Sequence, residues 1–353
     1  MPIGARYARC SHSLARVRRH APSRRRVGAA ALIAAVVASI GCGTSPAVAA
    51  PTSGPLGASG LVAGTIFVAN AGANAEGAGG TGPGSITLYR PDATGDVRPE
   101  TVITKGIDGP GGVAVDSSGD LWVANEAGHV VEYSRAELAK ASPVPTVTIH
   151  YGAGGLAFDP SGDLWVINGT DVAEFTKAQI AKSGSPKPVV SLPDNCSVVF
   201  DSSGDLWEGS SGNTLSEFTR TQLAQLAKSG SPSPRVTITS QSLNVPCKPA
   251  FDARGDLWAG NFQGGTVVEF TKAQLAKSGS PAPRVTLSSM AIGAAGDVAI
   301  DRSGDLWVPN AGANAVIGFT TSQLGKSGSP PPTFDITGLG TGLNWPWAVA
   351  IEP

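Results

Sequence analysis

Seven residues recur five times in this chain: DSSGDLW at 116–122, DPSGDLW at 159–165, DSSGDLW at 201–207, DARGDLW at 252–258 and DRSGDLW at 301–307. One such unit cannot bury its own apolar face, so the stacking of copies is the fold. Trp122, Trp165, Trp207, Trp258 and Trp307 follow one another at steps of 43, 42, 51 and 49 residues, the length of a four-stranded propeller blade.

Each unit opens with a short apolar strand, GVAVD, GLAFD, SVVFD, KPAFD or DVAID, and DxxGD turns it into a second strand, DLWVAN or a variant. The first Asp suits local amide capping and the Gly a positive φ, so the motif reads as a hairpin bend. A third strand such as VVEY or VAEF ends in an aromatic residue. Capping boxes follow at Ser134–x–x–Glu137, Thr176–x–x–Gln179, Thr219–x–x–Gln222, Thr271–x–x–Gln274 and Thr320–x–x–Gln323, predicting a short helix. Tyr133 and Leu138, with their counterparts, staple each helix start. KSGSP then places Gly184, Gly230, Gly279 and Gly328 at the expected left-handed end, and PxPxVTI supplies the outer strand, where Pro is tolerated.

The two ends of the chain complete one further blade. TIFVANAG at 65–72 matches the second strand and AVAIEP at 348–353 the first, so the last strand is expected beside the first one, closing the ring and removing a sheet edge. The expectation is an all-β, six-bladed propeller over residues 61–353, with four-stranded blades.

Before it lies a leader. The first 26 residues hold eight Arg and no acid, and an apolar run at 27–40 is too short for a membrane span, which reads as an export signal over 1–49. Cleavage is placed either after Ala49 or before Cys42, whose context SIGC resembles a lipobox with Ser39 in place of the usual large aliphatic residue; residues 43–60 would then be a flexible tether. SRRRVG at 23–28 faintly resembles a twin-arginine signal. Without the leader, 18 Lys and Arg stand against 27 acids, which argues against nucleic acid as a partner. The remaining Cys196 and Cys247 hold equivalent positions in neighbouring repeats, and a disulfide is expected between them if their Cα atoms come within roughly 7 Å.

The pattern hhhDxxGDLWVxN…VxEF resembles the NHL-repeat and TolB-like six-bladed propellers and, more loosely, the gluconolactonase and streptogramin-lyase branches of that architecture. The resemblance covers essentially all of residues 61–353 and is specific for architecture, because propellers host enzymes and binding proteins alike. Gluconolactonase-like enzymes imply a divalent metal on the axis, held by Glu, Asn and Asp where first strands begin. Here those positions are Gly111, Gly154, Cys196, Cys247, Gly296 and Trp347, with only Asp194 and Asn195 close by. Streptogramin lyases imply a His and a Glu, and the histidines after the leader are His129 and His150, in no recognisable lyase motif.

Several residues invite a functional reading. The DxxGD acids, two per turn, are too few for Ca²⁺, which takes roughly six to eight oxygens. Arg254–Gly255–Asp256 spells an adhesion tripeptide, yet it is the repeat's ordinary turn. The tryptophans read as packing between blades. Three residues after each Trp stands an amide, Asn125, Asn168, Asn261 and Asn310, joined by Asn70 and replaced once by Ser210. These end second strands, on the face where first strands begin, together with Asp194, Asn195, Trp345, Trp347 and the Gly-rich stretch 71–85. Asn suits left-handed loop caps there, and a ring of amides with two aromatics also suits a polar ligand.

The leading expectation is therefore an exported, non-catalytic binding or scaffold propeller without a cofactor. It would be monomeric, secreted or membrane-tethered only through Cys42, and would present this axial face to a protein, peptide or glycan. A gluconolactonase-like hydrolase or lyase with a divalent metal near Asp194, Asn195 and Asn168 is the alternative, and a structural cell-surface protein the second.

Overall fold

The computed structural model describes residues 61–72, 83–152, 154–168, 171–193, 197–210, 212–229 and 233–353. The leader, the tether, Cys42, Asp194, Asn195 and Cys196 lie outside them. The described strands form six four-stranded antiparallel sheets. In blade one they are Pro110–Val115, Leu121–Asn125, His129–Tyr133 and Val147–Ile149, paired in chain order. The inner strands of blades two to five are Gly155–Phe158, Ser197–Phe200, Ala250–Phe251 and Ala299–Ile300. Blade six is shared by the two ends: Pro346–Ile351 pairs with Ile66–Asn70, which leads to Ser85–Tyr89 and Thr101–Ile103. Each inner strand packs against its neighbours around the ring, with Pro346–Ile351 between those of blades five and one.

The repeated heptad explains why the hairpins form. Asp116 Oδ1 accepts the amides of Ser118 at 2.8 Å and Asp120 at 3.1 Å, while Gly119 sits at φ 80°, and the other four turns repeat this geometry. The second acid has a role the sequence did not suggest: Asp120 Oδ1 accepts the Arg135 amide at 2.7 Å, at the first position of the helix. Asp163, Asp205, Asp256 and Asp305 do the same for Lys177, Arg220, Lys272 and Thr321. An orphan helix amide is thereby satisfied from the neighbouring hairpin.

The tryptophans are the layer between blades. All five are at most 3% exposed, and Trp122, Trp165 and Trp207 each meet an aromatic ring of the following blade, Phe158, Phe200 and Phe251, at 5.6, 5.5 and 6.2 Å. Edge-on and tilted pairs of this kind add to what burial alone contributes.

The helix starts differ in detail from the expectation. Thr176, Thr219 and Thr271 form reciprocal capping boxes. At Ser134 only half forms, because Glu137 turns to Lys140 and the Val144 amide, and the Ser134 amide donates to Thr146 Oγ1 at 3.1 Å. The fifth start leads only into a 3₁₀ turn, Gln323–Gly325, and Thr320 Oγ1 meets Ser322 instead of the third amide. The glycines of KSGSP also correct the reading. Gly184, Gly279 and Gly328 are not left-handed; each makes a parallel bridge to the outer strand of the preceding blade, at Ile149, Ile238 and Leu287. Extended backbone is required for that pairing, and it stitches the rims of adjacent sheets together. Among the described residues no helix is long and apolar enough to cross a membrane.

Candidate functional site

The asparagines that end the second strands are brought to one face, and their side chains hold its loops. Asn125 Oδ1 accepts the Asp108 amide at 2.9 Å while Nδ2 donates to the Gly106 carbonyl at 3.0 Å; Asn261 does the same for Asn244 and Ser242 at 2.9 and 2.8 Å. Asn70 bonds Thr87 Oγ1 and the Asn344 amide, and Asn310 bonds the Ala291 carbonyl and the Ala313 amide. These four are buried. Asn168 is half-buried and is tied to Tyr151 and the Asp171 amide. Buried amides engaged at both ends are clasps. They fix the loops that enter their own blades, so the face they build is preorganised.

Sequence reasoning missed the centre of the ring. Lys248 and Asp297 stand just before the inner strands of blades four and five, where blades one to three carry Gly112, Gly155 and Ser197. Lys248 Nζ donates to Asp297 Oδ2 at 3.2 Å and, across the ring, to the Val113 carbonyl of blade one at 3.0 Å. Asp297 Oδ2 also accepts the Val349 amide of blade six at 3.0 Å. One ion pair thus ties four of the six inner strands. The Lys248 side chain is 22% exposed and that of Asp297 3%, and Asp297 Oδ1 is enclosed without a partner among the described residues. Burial drives the Asp297 pKa above the ordinary carboxylate range, partly countered by Lys248. The signal that would have found the pair is one positive and one negative residue at equivalent positions of adjacent repeats, in a series of small residues.

Two residues upstream of Val349, the ring of Trp347 meets Phe262 of blade four edge-on at 5.5 Å. Beside it Trp345 is half-buried with φ 59°, a conformation that costs a bulky residue about 1–3 kcal/mol. Asn314 Oδ1 holds it there by accepting the Trp345 amide at 2.7 Å, as Asn213 holds Val245, whose φ is 55°. Trp345 and Trp347 lie at and just before the start of the blade-six inner strand, whereas Asp194 and Asn195 are outside the described residues. Cys247 carries a free, half-buried thiol, and its expected partner Cys196 is likewise outside. The histidines do not converge: His129 lies on a third strand opposite Asn125, and His150 follows an outer strand.

At the opposite end of the inner hairpins, the DxxGD acids gain a third member from the VxEF strand. In the sets Asp159, Asp163 and Glu174; Asp201, Asp205 and Glu217; and Asp252, Asp256 and Glu269, carboxylate oxygens lie within 4.8 Å of one another. Two sets have arginine partners within the chain. Arg235 pairs with Glu217, and Arg284 and Arg254 with Glu269, so the arginine of the adhesion-like tripeptide is folded back onto Asp252, Asp256 and Glu269 at 2.6, 2.9 and 3.0 Å. Glu174 has no such arginine, and burial, with Asp163 and Asp159 adding to it, pushes its pKa up to about 7. A carboxyl raised in the folded state disfavours folding when ionised, fully above that pKa and not at all below its unfolded value. Stability should therefore fall as pH rises from about 4.5 to about 7. Glu174→Gln should flatten that slope and gain about 1 kcal/mol at pH 8 after solvent screening, read from urea midpoints across pH; an unchanged slope would count against it.

No family model and no curated protein matches the sequence. A solved structure does share the fold. A protein of unknown function from Bacteroides caccae superposes with a TM-score of 0.53 at 12% identity, over 83% of this chain and 100% of that one. A virginiamycin B lyase from Staphylococcus aureus superposes with a TM-score of 0.44 at 15% identity, over 68% and 73% of the two chains. At 12% identity the likeness to the Bacteroides caccae protein is one of architecture.

Proposed function

We propose that the chain is an extracytoplasmic, non-catalytic binding propeller that presents the axial face around Trp345 and Trp347 to a protein, peptide or glycan. The observation that carries this reading is Trp345, a half-exposed aromatic held at φ 59° by a dedicated hydrogen bond from its amide to Asn314. Strain of this kind persists only where the surroundings over-determine it, and it concentrates at sites that present a side chain. The clasping asparagines support the reading by making the platform rigid, which lowers the entropy lost on binding. Lys248 supports it too, since its ammonium lies among the inner strands where the gluconolactonase-like enzymes hold a metal. The Arg-rich leader with its Ala49 or Cys42 processing site supports an extracytoplasmic location, free or tethered.

Trp345 gives the test. Trp345→Gly is expected to be more stable than Trp345→Ala by about 1 kcal/mol, because only Gly tolerates the positive φ. Both should lose retention on an array of glycans and extracellular peptides to which the wild type binds. Retention of the same ligands by both variants would move the site away from this face.

A further inference from the structure

A cavity of about 290 Å³ opens between blades one and two, at the DxxGD end of the hairpins. Asp116, Asp120 and Glu132 line it on one side, Trp122 and Phe158 on another, and Thr146 stands at its outer strand. Asp116 is engaged with turn amides and the Trp122 indole, and one oxygen of Asp120 with the Arg135 amide. Glu132 is different: it is 8% exposed, lines the cavity, and its side chain meets only the Asp120 carboxyl, with no N–H or basic partner among the described residues. Its charged neighbours are the two acids, and Lys177 at the cavity wall makes no ion pair with it.

The other repeats show what belongs in such a space. In blades one to five the residue just before the outer strand donates its amide to the carbonyl of the third-strand residue: Thr146 to Glu132, Val189 to Glu174, Arg235 to Glu217, Arg284 to Glu269 and Thr333 to Gly318, at 2.7 to 2.9 Å. Where that residue is arginine, in blades three and four, its guanidinium lies on the blade's own Glu. Blade five has lost both the Glu and the arginine. Blade one keeps the acids, puts Thr146 in the arginine position and leaves the cavity.

We propose that this cavity receives a guanidinium group from outside the chain, on a small molecule or at the end of a polypeptide's arginine side chain, with Glu132 and Asp120 as its carboxylate partners. A guanidinium presents several N–H donors in one plane and pairs with carboxylates in fixed geometry. Its alkyl stem would lie along Phe158 and its cationic plane near the Trp122 ring. The acids' mutual repulsion is what the ligand relieves. In its absence burial, with Asp120 and Asp116 adding to it, pushes the Glu132 pKa up to about 7. Binding should then tighten between pH 6 and pH 8 as Glu132 ionises, with Asp116, Asp120 and Lys177 the other charged groups facing it.

The test is calorimetric titration of the full chain with agmatine and with the blocked tripeptide acetyl-Gly-Arg-Gly-amide. Binding is expected, about 10-fold weaker or more in Glu132→Gln, since a charged hydrogen bond contributes at least that much. Thr146→Arg should abolish it by supplying the guanidinium from within, as blades three and four do, without lowering the thermal midpoint; the Ser134 amide released from Thr146 can turn to Glu137, as its counterparts do to glutamine. Tighter agmatine would name a small molecule and tighter tripeptide a polypeptide. No heat from either probe up to about 10 mM, a Kd scale at which a paired guanidinium should register, would overturn the proposal. So would equal binding by wild type and Glu132→Gln, which keeps it decidable should Thr146→Arg fail to fold.

Discussion

Deleting residues 346–353 should leave a chain that no longer unfolds cooperatively. The deletion removes the inner strand of blade six, on which Ile66–Asn70 pairs over five residues, and with it buried Ala348, Val349 and Ala350 and half-buried Trp347 and Ile351. Full burial of a Val or Ile side chain contributes roughly 1.5–3 kcal/mol, and a whole domain is stable by only about 5–15 kcal/mol. The loss also bares the edge of Ile66–Asn70 and frees Asp297 from the Val349 amide. Circular dichroism melts and size-exclusion chromatography would read the outcome, with soluble aggregate or a broad, shallow melt expected. A matched permutant that joins the two ends and opens a surface loop elsewhere should fold, because the Gly64 amide already bonds the Glu352 carbonyl at 2.9 Å. A sharp native-like melt of the truncated chain would show that closure is dispensable.

Lys248→Met should be the most damaging single substitution on the axis. It strips the cation from a carboxylate enclosed among four inner strands, and breaking a buried pair on one side costs about 3–5 kcal/mol. The sign of the pH dependence follows from Asp297. Its pKa is raised in the fold, so the penalty for its charge is complete above that folded value and vanishes as pH falls towards its unfolded value. Urea midpoints of the variant should therefore lie far below wild type at pH 8 and approach it in acid. Adding Asp297→Leu should recover most of the loss at pH 8, to within about 1 kcal/mol, since removing both charges leaves no unpaired group. A Lys248→Met variant as stable as wild type at pH 8 would show that the pair is solvated in solution.

The architecture was legible because its signals are local and repeated. DxxGD fixes a turn within five residues, Trp122 and its copies sit on a short apolar strand, and four spacings near one blade length leave few alternatives. Ring closure was legible from two half-matches at the ends. What escaped depends on partners far apart in sequence. Lys248 and Val113 lie in opposite blades, and Glu132 meets Asp116 and Asp120 only once the third strand is laid against the second. Asn125 was found in the right place, yet its role turned on Gly106 and Asp108, whose backbone groups carry no sequence signature. The glycine of KSGSP was read from its helix, whereas the preceding blade decides its backbone.

Those inter-blade bridges set a direction. Gly184, Gly279 and Gly328 each reach back from a later repeat to one made earlier, so each new blade emerging during synthesis finds its docking edge already complete. Blade six reverses the order. Gly95, made before any of them, bridges Ile336 near the other end of the chain. Its outer strands must wait, unpaired on that side, until the strand carrying Ile336 has been made; vectorial assembly of five units thus ends in a single closing step, and that interval is when a chaperone would find an unfinished edge to hold.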